Sequence, residues 1–436
     1  MPRAIPFAVA LVMLAACGHA PAPNPPPGPV QLRSGYEKAQ GASLGRDCGY
    51  SQPVPGSPGR SVWLFCDTPV LTRTRTAQGR TTWTLKRFIA GSTAAQASYT
   101  PGRAPGALTE LPTPGAPGGP VPGTGAPGGP VPGTGAPEGP VPGTGAPGGP
   151  DAGTGGPAGR AGGDPAPARF LPQPPGLVTL AGQPCVSADG GYSASWISGV
   201  TRIPGTADLL VSYDNYCVIT GANPGFIAEG FGLARYDPAA NRLTAQAPVF
   251  AGTNFSGPAA AELLGSPVFR GGYLYLYGPE CNDPALGGCG KGEITVARVA
   301  ANPSAWSDPF AYRWWSALGA AGSWTPDVTA ATSIVPGAKP AGVSVADFSA
   351  TGHGLVLAEQ TDVGGRFTVY QSPAPAGPWR RVLSGRVPCA VGSGFANLCR
   401  AVNPHPELST RGLLLLSYFN PSAPPDGHVM VDGFRW

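Results

Sequence analysis

A chain of 436 residues has the length of one large domain or of several ordinary ones, and its 67 glycines and 56 prolines point to low-complexity segments within it. Charged residues make up only 12% and the net charge is +4 with no Lys/Arg run, which excludes the electrostatic footprint of a nucleic-acid-binding protein. The cations are almost all arginine, a bias that goes with the Ala/Gly/Pro composition and marks no anion site.

The first expected element is a signal peptide over residues 1–16. Arg3 supplies a positive start, and the apolar stretch that follows is too short to span a bilayer. It ends in Leu14-Ala15-Ala16-Cys17, which resembles a bacterial lipobox, so Cys17 is expected to become the lipidated first residue of a membrane-tethered, extracytoplasmic protein. Residues 17–39 read as a Pro-rich spacer that forms neither helix nor central strand.

Export changes the reading of the other cysteines. Eight remain after Cys17, an even number in an oxidising compartment, and they fall in successive pairs along the chain. The expected cystines are Cys48–Cys66, Cys185–Cys217, Cys281–Cys289 and Cys389–Cys399. No CxxC or Cys/His spacing indicates zinc, and neither a metal nor another cofactor is expected.

Residues 40–100 form a first strand-rich unit. Residues 101–168 hold 22 glycines, 18 prolines and no aromatic residue, and repeat the decapeptide GAPGGPVPGT; a flexible, disordered insertion without a core is expected there. Residues 170–436 carry the rest. Five apolar runs recur, Val62-Trp63-Leu64-Phe65, Leu209-Leu210-Val211, Tyr273 to Tyr277, Leu355-Val356-Leu357 and Leu413 to Leu416. Each follows a turn and precedes another strand-like run (TTWTLKRF, FGLARYD, GEITVARV, RFTVYQS and GHVMVDGF). Five β-rich units without a long amphipathic helix predict an all-β, five-bladed β-propeller, with the Gly/Pro tract inserted between blades. A β-sandwich after the tract, preceded by a small strand module, is the alternative.

In such a ring the chemistry lies where the inner strands converge. Asp47 and Asp67 flank the expected Cys48–Cys66 cystine, and an antiparallel register that pairs the cysteines also pairs the aspartates. Opposed carboxylates at about 5 Å are destabilising and split their pKa values, leaving one as an acid and one as a base or nucleophile. Two such carboxylates are the equipment of glycoside hydrolysis. Asp214, Glu280, Glu359, His405 and Glu407 stand beside the same strands, where a solvated loop carboxylate or a structural histidine is the plainer reading. Trp196, with Tyr213, Tyr216, Trp314, Trp315 and Trp324, offers sugar-stacking surface or inter-blade packing. Gly41-Ala42-Ser43-Leu44-Gly45 spells GxSxG without the strand-turn-helix context of a nucleophile elbow and is rejected.

Asp47 together with Ser61-Val62-Trp63-Leu64-Phe65-Cys66-Asp67-Thr68 resembles the D…W-x-F-G-D-T signature of a family of secreted actinobacterial five-bladed propellers, some of them endo-D-arabinanases. Gln371-Ser372-Pro373 with Gly377-Pro378-Trp379 is similar to a segment of propeller glycosidases, and His405-Pro406-Glu407-Leu408 precedes a final SY strand as in that family. The resemblance spans residues 43–436 without the insertion and implies a monomeric, glycoside-hydrolase-like propeller. It would act on a cell-envelope polysaccharide, with Asp47 and Asp67 matching the family's catalytic pair; Trp196, Asp214, Glu280, His405 and Glu407 are expected near the substrate from their place beside the converging strands. Cys66 replaces a family glycine, and the insertion interrupts the ring, so a glycan- or protein-binding surface propeller without catalysis stands as the second reading.

Overall fold

The structure is a computed structural model and describes residues 28–116, 165–172, 185, 191–219, 225–251, 264–279, 293–317, 322–338, 340–390, 398–425 and 427–436. Cys17, Glu280, Cys281, Cys289 and the repeats of the Gly/Pro tract lie outside the described residues.

The chain runs through β1 (Val30–Gln31), α1 (Gly35–Gln40), β2 (Ala42–Leu44), β3 (Cys48–Pro53), β4 (Arg60–Phe65), β5 (Thr68–Arg75), β6 (Thr81–Ile89), β7 (Thr93–Ser98) and β8 (Thr109–Glu110). A second group is β9 (Tyr192–Arg202), β10 (Leu209–Ile219), β11 (Gly225–Asp237) and β12 (Arg242–Ala251). Then follow β13 (Gly265–Arg270), β14 (Tyr273–Pro279), β15 (Ile294–Ala300), β16 (Arg313–Ser316) and β17 (Ser323–Thr325). The fourth group is β18 (Gly342–Asp347), β19 (Leu355–Gln360), β20 (Arg366–Ser372) and β21 (Arg380–Arg386), and the last is β22 (Arg400–Pro404), β23 (Leu413–Asn420) and β24 (His428–Arg435).

The protein is nearly all β, in six sheets. Five are antiparallel sheets ordered β3-β4-β7-β8, β9-β10-β11-β12, β13-β14-β15-β16-β17, β18-β19-β20-β21 and β22-β23-β24-β1. The sixth, β2-β5-β6, stands at the side. Because β1 comes from the N-terminal end of the described chain and pairs with β24, both ends of the chain share the fifth sheet. First strands touch in cyclic order: β3 meets β9, β9 meets β13, β13 meets β18, β18 meets β22, and β22 meets β3.

Packing between the sheets explains the apolar runs. Val62 and Leu64 face Leu209 and Val211 of the second sheet, whereas Trp63 and Phe65 face Leu415, Val429 and Val431 of the fifth. Leu210 packs on Leu274 and Leu276, Tyr275 and Tyr277 on Leu355 and Leu357, and Val356 and Ala358 on Leu414 and Leu416. Successive residues of a strand point to opposite faces, so a strand buried on both sides reads as an unbroken apolar run rather than an alternating one. Five cores thus join the five sheets in the same cyclic order as the strand contacts.

Three boundaries differ from the sequence expectation. The run TTWTLKRF is not the third strand of the first sheet; it is β6 of the side sheet, and the third strand is the Ala-rich β7. Ala94, Ala95 and Ala97 are at most 3% exposed, because that position needs small side chains between two neighbouring sheets, and alanine gives no strand signal in a sequence. The spacer expected over 17–39 does not reach that far: from Val30 the chain forms β1 and then a helix that runs to Gln40, capped by a Ser34/Glu37 box and ended by Gly41 at φ 58°. This helix precedes Ser43, where a nucleophile elbow needs one to follow. The expected coreless tract is ordered at its start, where Leu108 and Glu110 are buried and β8 pairs with β7; just past its end, Phe170 and Leu171 pack under the first two sheets.

Candidate active site

Asp47 and Asp67 are brought to one end of the ring by different devices. Cys48 and Gly49 both adopt positive φ, 67° and 83°, which puts a bulge at the start of β3. A Cβ on Gly49 would lie 2.7 Å from Val429 Cγ1, so glycine is required there on space as well as on backbone conformation. The bulge moves the register: Cys48 pairs with Phe65, and the Cys66 N–H donates to the Asp47 carbonyl at 3.2 Å. Directly opposed aspartates are therefore not found. Asp67 lies past the end of β4, in the step to β5. The Cys48–Cys66 disulfide nevertheless forms and ties both segments together.

Each carboxylate has its own partners. Arg400, at the start of β22, donates to Asp47 Oδ2 from Nε at 2.9 Å and from a terminal guanidinium nitrogen at 2.8 Å. Asp47 Oδ1 is buried and has no hydrogen-bond partner among the described residues. Arg400 also lies over the Phe419 ring, 4.0 Å from its centroid. Asp67 accepts from the Gly91 N–H at 2.7 Å and from the Tyr192 hydroxyl at 2.6 Å. Desolvation, and next the charge of Asp47, push the Asp67 carboxyl up to about 6, against the opposing pull of the Tyr192 and Gly91 hydrogen bonds. Tyr192 is raised in turn, first by burial and then by Asp67.

Asp214 reaches the same neighbourhood from β10. It is buried, its carboxyl is raised well above the usual range by desolvation, and its charge acts on Tyr50 and Tyr216. Trp196, half-buried, packs on Tyr216 with ring centroids 4.5 Å apart. The sulfurs of Cys48 and Cys66 lie within 4.8 Å of the Asp47 carboxylate, but both are spent in the disulfide and are not metal ligands.

His405 and Glu407 are not at this end, and this corrects the expectation that they meet substrate. They sit past the far end of β22 with Ser51 of β3, their side chains 1% and 2% exposed. Ser51 Oγ is 2.6 Å from His405 Nδ1 and donates to Glu407 Oε1. Burial lowers His405 to about 3, so it is neutral, and raises Glu407 to about 7. Beside them the axis narrows to a cavity of about 20 Å³, lined from all five first strands by Ser51, Val200, Ser266, Val345 and Asn403 among others. That is space for about one water and none for a sugar ring. Glu359 is buried as well and accepts from the Tyr370 hydroxyl. Tyr213 and Trp314 are core residues, and Trp324 packs edge-on to Trp315 and under Arg298.

Three cystines pair as expected, Cys48–Cys66, Cys185–Cys217 and Cys389–Cys399. Sequence reasoning missed Arg400, Tyr192 and Gly91. Arg400 carried a usable signal, since it directly follows a cystine as Asp67 does.

No family model and no curated protein matches the chain. Among solved structures it is similar to Zg3597, a family 117 glycoside hydrolase of Zobellia galactanivorans, at 10% identity over 93% of this chain and 89% of that one, with a TM-score of 0.44. It is also similar to the GH43_1 enzyme of Xanthomonas citri complexed with xylose (11% identity, 92% and 91% covered, TM-score 0.41). A third is the GH93 alpha-L-arabinofuranosidase of Fusarium graminearum (10% identity, 94% and 97% covered, TM-score 0.36).

Proposed function

We propose that this chain is a five-bladed β-propeller, tethered outside the cytoplasm through a lipidated Cys17, that hydrolyses a cell-envelope glycan, with an arabinofuranose-containing polysaccharide as the first candidate. The cyclic contacts of the first strands, and the five cores in the same order, support the blade count. The observation that carries the chemistry is the asymmetry of two neighbouring carboxylates. Asp67, desolvated and facing the charge of Asp47, holds its proton toward neutral pH and serves as the acid for the leaving oxygen. Asp47, ion-paired through Oδ2 to Arg400, is the second carboxylate of the pair and takes the part of base or nucleophile.

Two measurements test this reading. Purified protein is incubated with arabinogalactan, lipoarabinomannan and a panel of other glycans, wild type beside Asp67→Asn. Product release by the wild type alone is the expected result; saturable binding by both without release would leave a binding module. Labelling cells with a clickable fatty acid tests the tether: Cys17→Ala should lose the label, and equal labelling refutes it.

A further inference from the structure

The β5–β6 hairpin does not enter the ring, and its composition differs from the rest of the chain. From Thr68 to Ile89 it contains Arg73, Arg75, Arg80, Lys86 and Arg87 and no Asp or Glu. Among the described residues none of these five cations makes an ion pair. An isolated two-stranded hairpin is at best marginally stable. This one is held at its root, where Val70 and Ile89 pack on Tyr36, Ala42 and Leu44 and β2 pairs with β5.

Its two faces are chemically distinct. The pairs Thr72↔Thr84 and Thr74↔Thr82 make one face a threonine ladder. The other carries Leu71↔Leu85, Arg73↔Trp83 and Arg75↔Thr81. On that face Arg73 and Arg75 are exposed, Leu85 is 55% exposed and Trp83 is half-buried. Near the root Phe88, 41% exposed, meets the Tyr192 ring edge-on at 5.2 Å, and the Tyr192 hydroxyl is the group that holds Asp67. An aromatic and cationic strip thus leads from solvent to the candidate acid. Aromatic faces bind by stacking, and guanidinium forks pair with carboxylates in a planar, bidentate way.

We propose that this hairpin face is a binding platform for an acidic, carboxylate-bearing polysaccharide, which it guides from Trp83 past Phe88 to Asp67. The proposal rests on the glycan-hydrolase reading above and adds the charge class of the substrate. A membrane surface would use the same cations, but one lying on this face would cover Tyr192 and the way to Asp67. Continuity with the site favours the polysaccharide.

The test uses the full chain with polygalacturonate, its methyl ester on the same backbone, and vesicles of phosphatidylglycerol or phosphatidylcholine. The proteins are the wild type, Asp67→Asn, Trp83→Ala and the double variant Arg73→Gln/Arg75→Gln, whose altered side chains are solvent-exposed and whose melting temperature should match the wild type. Wild type and Asp67→Asn should bind polygalacturonate equally and more weakly as salt rises, the ester more weakly than the acid, and the double variant about tenfold more weakly. Trp83→Ala should also lose affinity. Equal binding by the double variant, equal binding of acid and ester, or dependence on the arginines with phosphatidylglycerol vesicles alone would overturn the proposal. Hydrolysis is scored separately on wild type and Asp67→Asn, so a failed catalytic reading and a failed binding platform give different results.

Discussion

Two carboxyl groups with raised pKa values stand at opposite ends of the same pair of strands, Asp67 near the start of β3 and β22 and Glu407 past the end of β22. Burial is the first cause of the shift in both. Surroundings separate them. Asp67 is partly exposed, next to a second aspartate whose arginine partner reaches solvent, whereas Glu407 shares a closed compartment with a neutral histidine and a serine. A perturbed carboxyl is therefore not by itself a mark of catalysis; access for a substrate decides. Perturbation at the closed end is the consequence of packing polar groups where the first and fifth sheets meet.

The largest effect that tests this contrast is on rate. Asp67→Asn should lower glycan hydrolysis by about 10²- to 10⁴-fold, as loss of a general acid does, with little change in melting temperature. Ser51→Ala, at the other end, should change stability and leave the rate per folded molecule near that of wild type. A matching loss of rate in both would erase the distinction. The pH profile sharpens it: with Asp67 as the acid, rate should fall as pH rises through about 6, and a profile flat from pH 5 to 8 would remove Asp67 from that role.

A third carboxylate extends the comparison. Glu110 of β8 is buried like Glu407 but paired with the equally buried Arg46, which also lies 4.5 Å from the Phe65 ring centroid. Glu110→Ala would leave an unpaired buried guanidinium, at an expected cost of about 3–5 kcal/mol read from urea unfolding. An effect below about 1 kcal/mol would mean that the ordered start of the Gly/Pro tract is dispensable to the first sheet.

Smaller, and different in sign on its two sides, is the pH dependence of the closed end. Glu407, raised from 4.5 to about 7 on folding, makes the native state bind the extra proton between those values, so its contribution is lost as pH rises through that window; the scale is about 3 kcal/mol. His405, lowered from 6.5 to about 3, does the reverse and destabilises as pH falls below 6.5. The two slopes oppose each other between pH 4.5 and 6.5. Glu407→Gln should therefore unmask a stability that climbs steadily from pH 3 to 6.5 in thermal melts. A variant profile parallel to that of the wild type would show that Glu407 does not titrate in this range.

How much of this was legible in the sequence depended on whether a residue's environment is local. The five second strands could be read because burial on both faces leaves an unbroken apolar run, and the three described cystines because their cysteines are neighbours along the chain. Asp47 and Asp67 could be singled out because each adjoins a cysteine. Their geometry could not be read, since it is set by a bulge at Cys48 and Gly49, and the glycine there packs against Val429 from the other end of the chain. The same limit hid β7, whose alanines signal nothing until two sheets are packed around them, and it made β6 look like a strand of the first sheet.

By itself the sequence determined that this is a β-rich chain in which an apolar strand recurs five times, stapled by neighbouring cysteines, with an acidic pair beside the first staple. Only the tertiary structure decided that Asp47 has Arg400 as its partner, 353 residues away, that Tyr192 and Gly91 hold Asp67, and that His405 and Glu407 are sealed from solvent. The physical reason is that strand pattern and cystine spacing follow from neighbours along the chain, while charge partners and solvent access are set by residues that meet only when the first and last sheets come together.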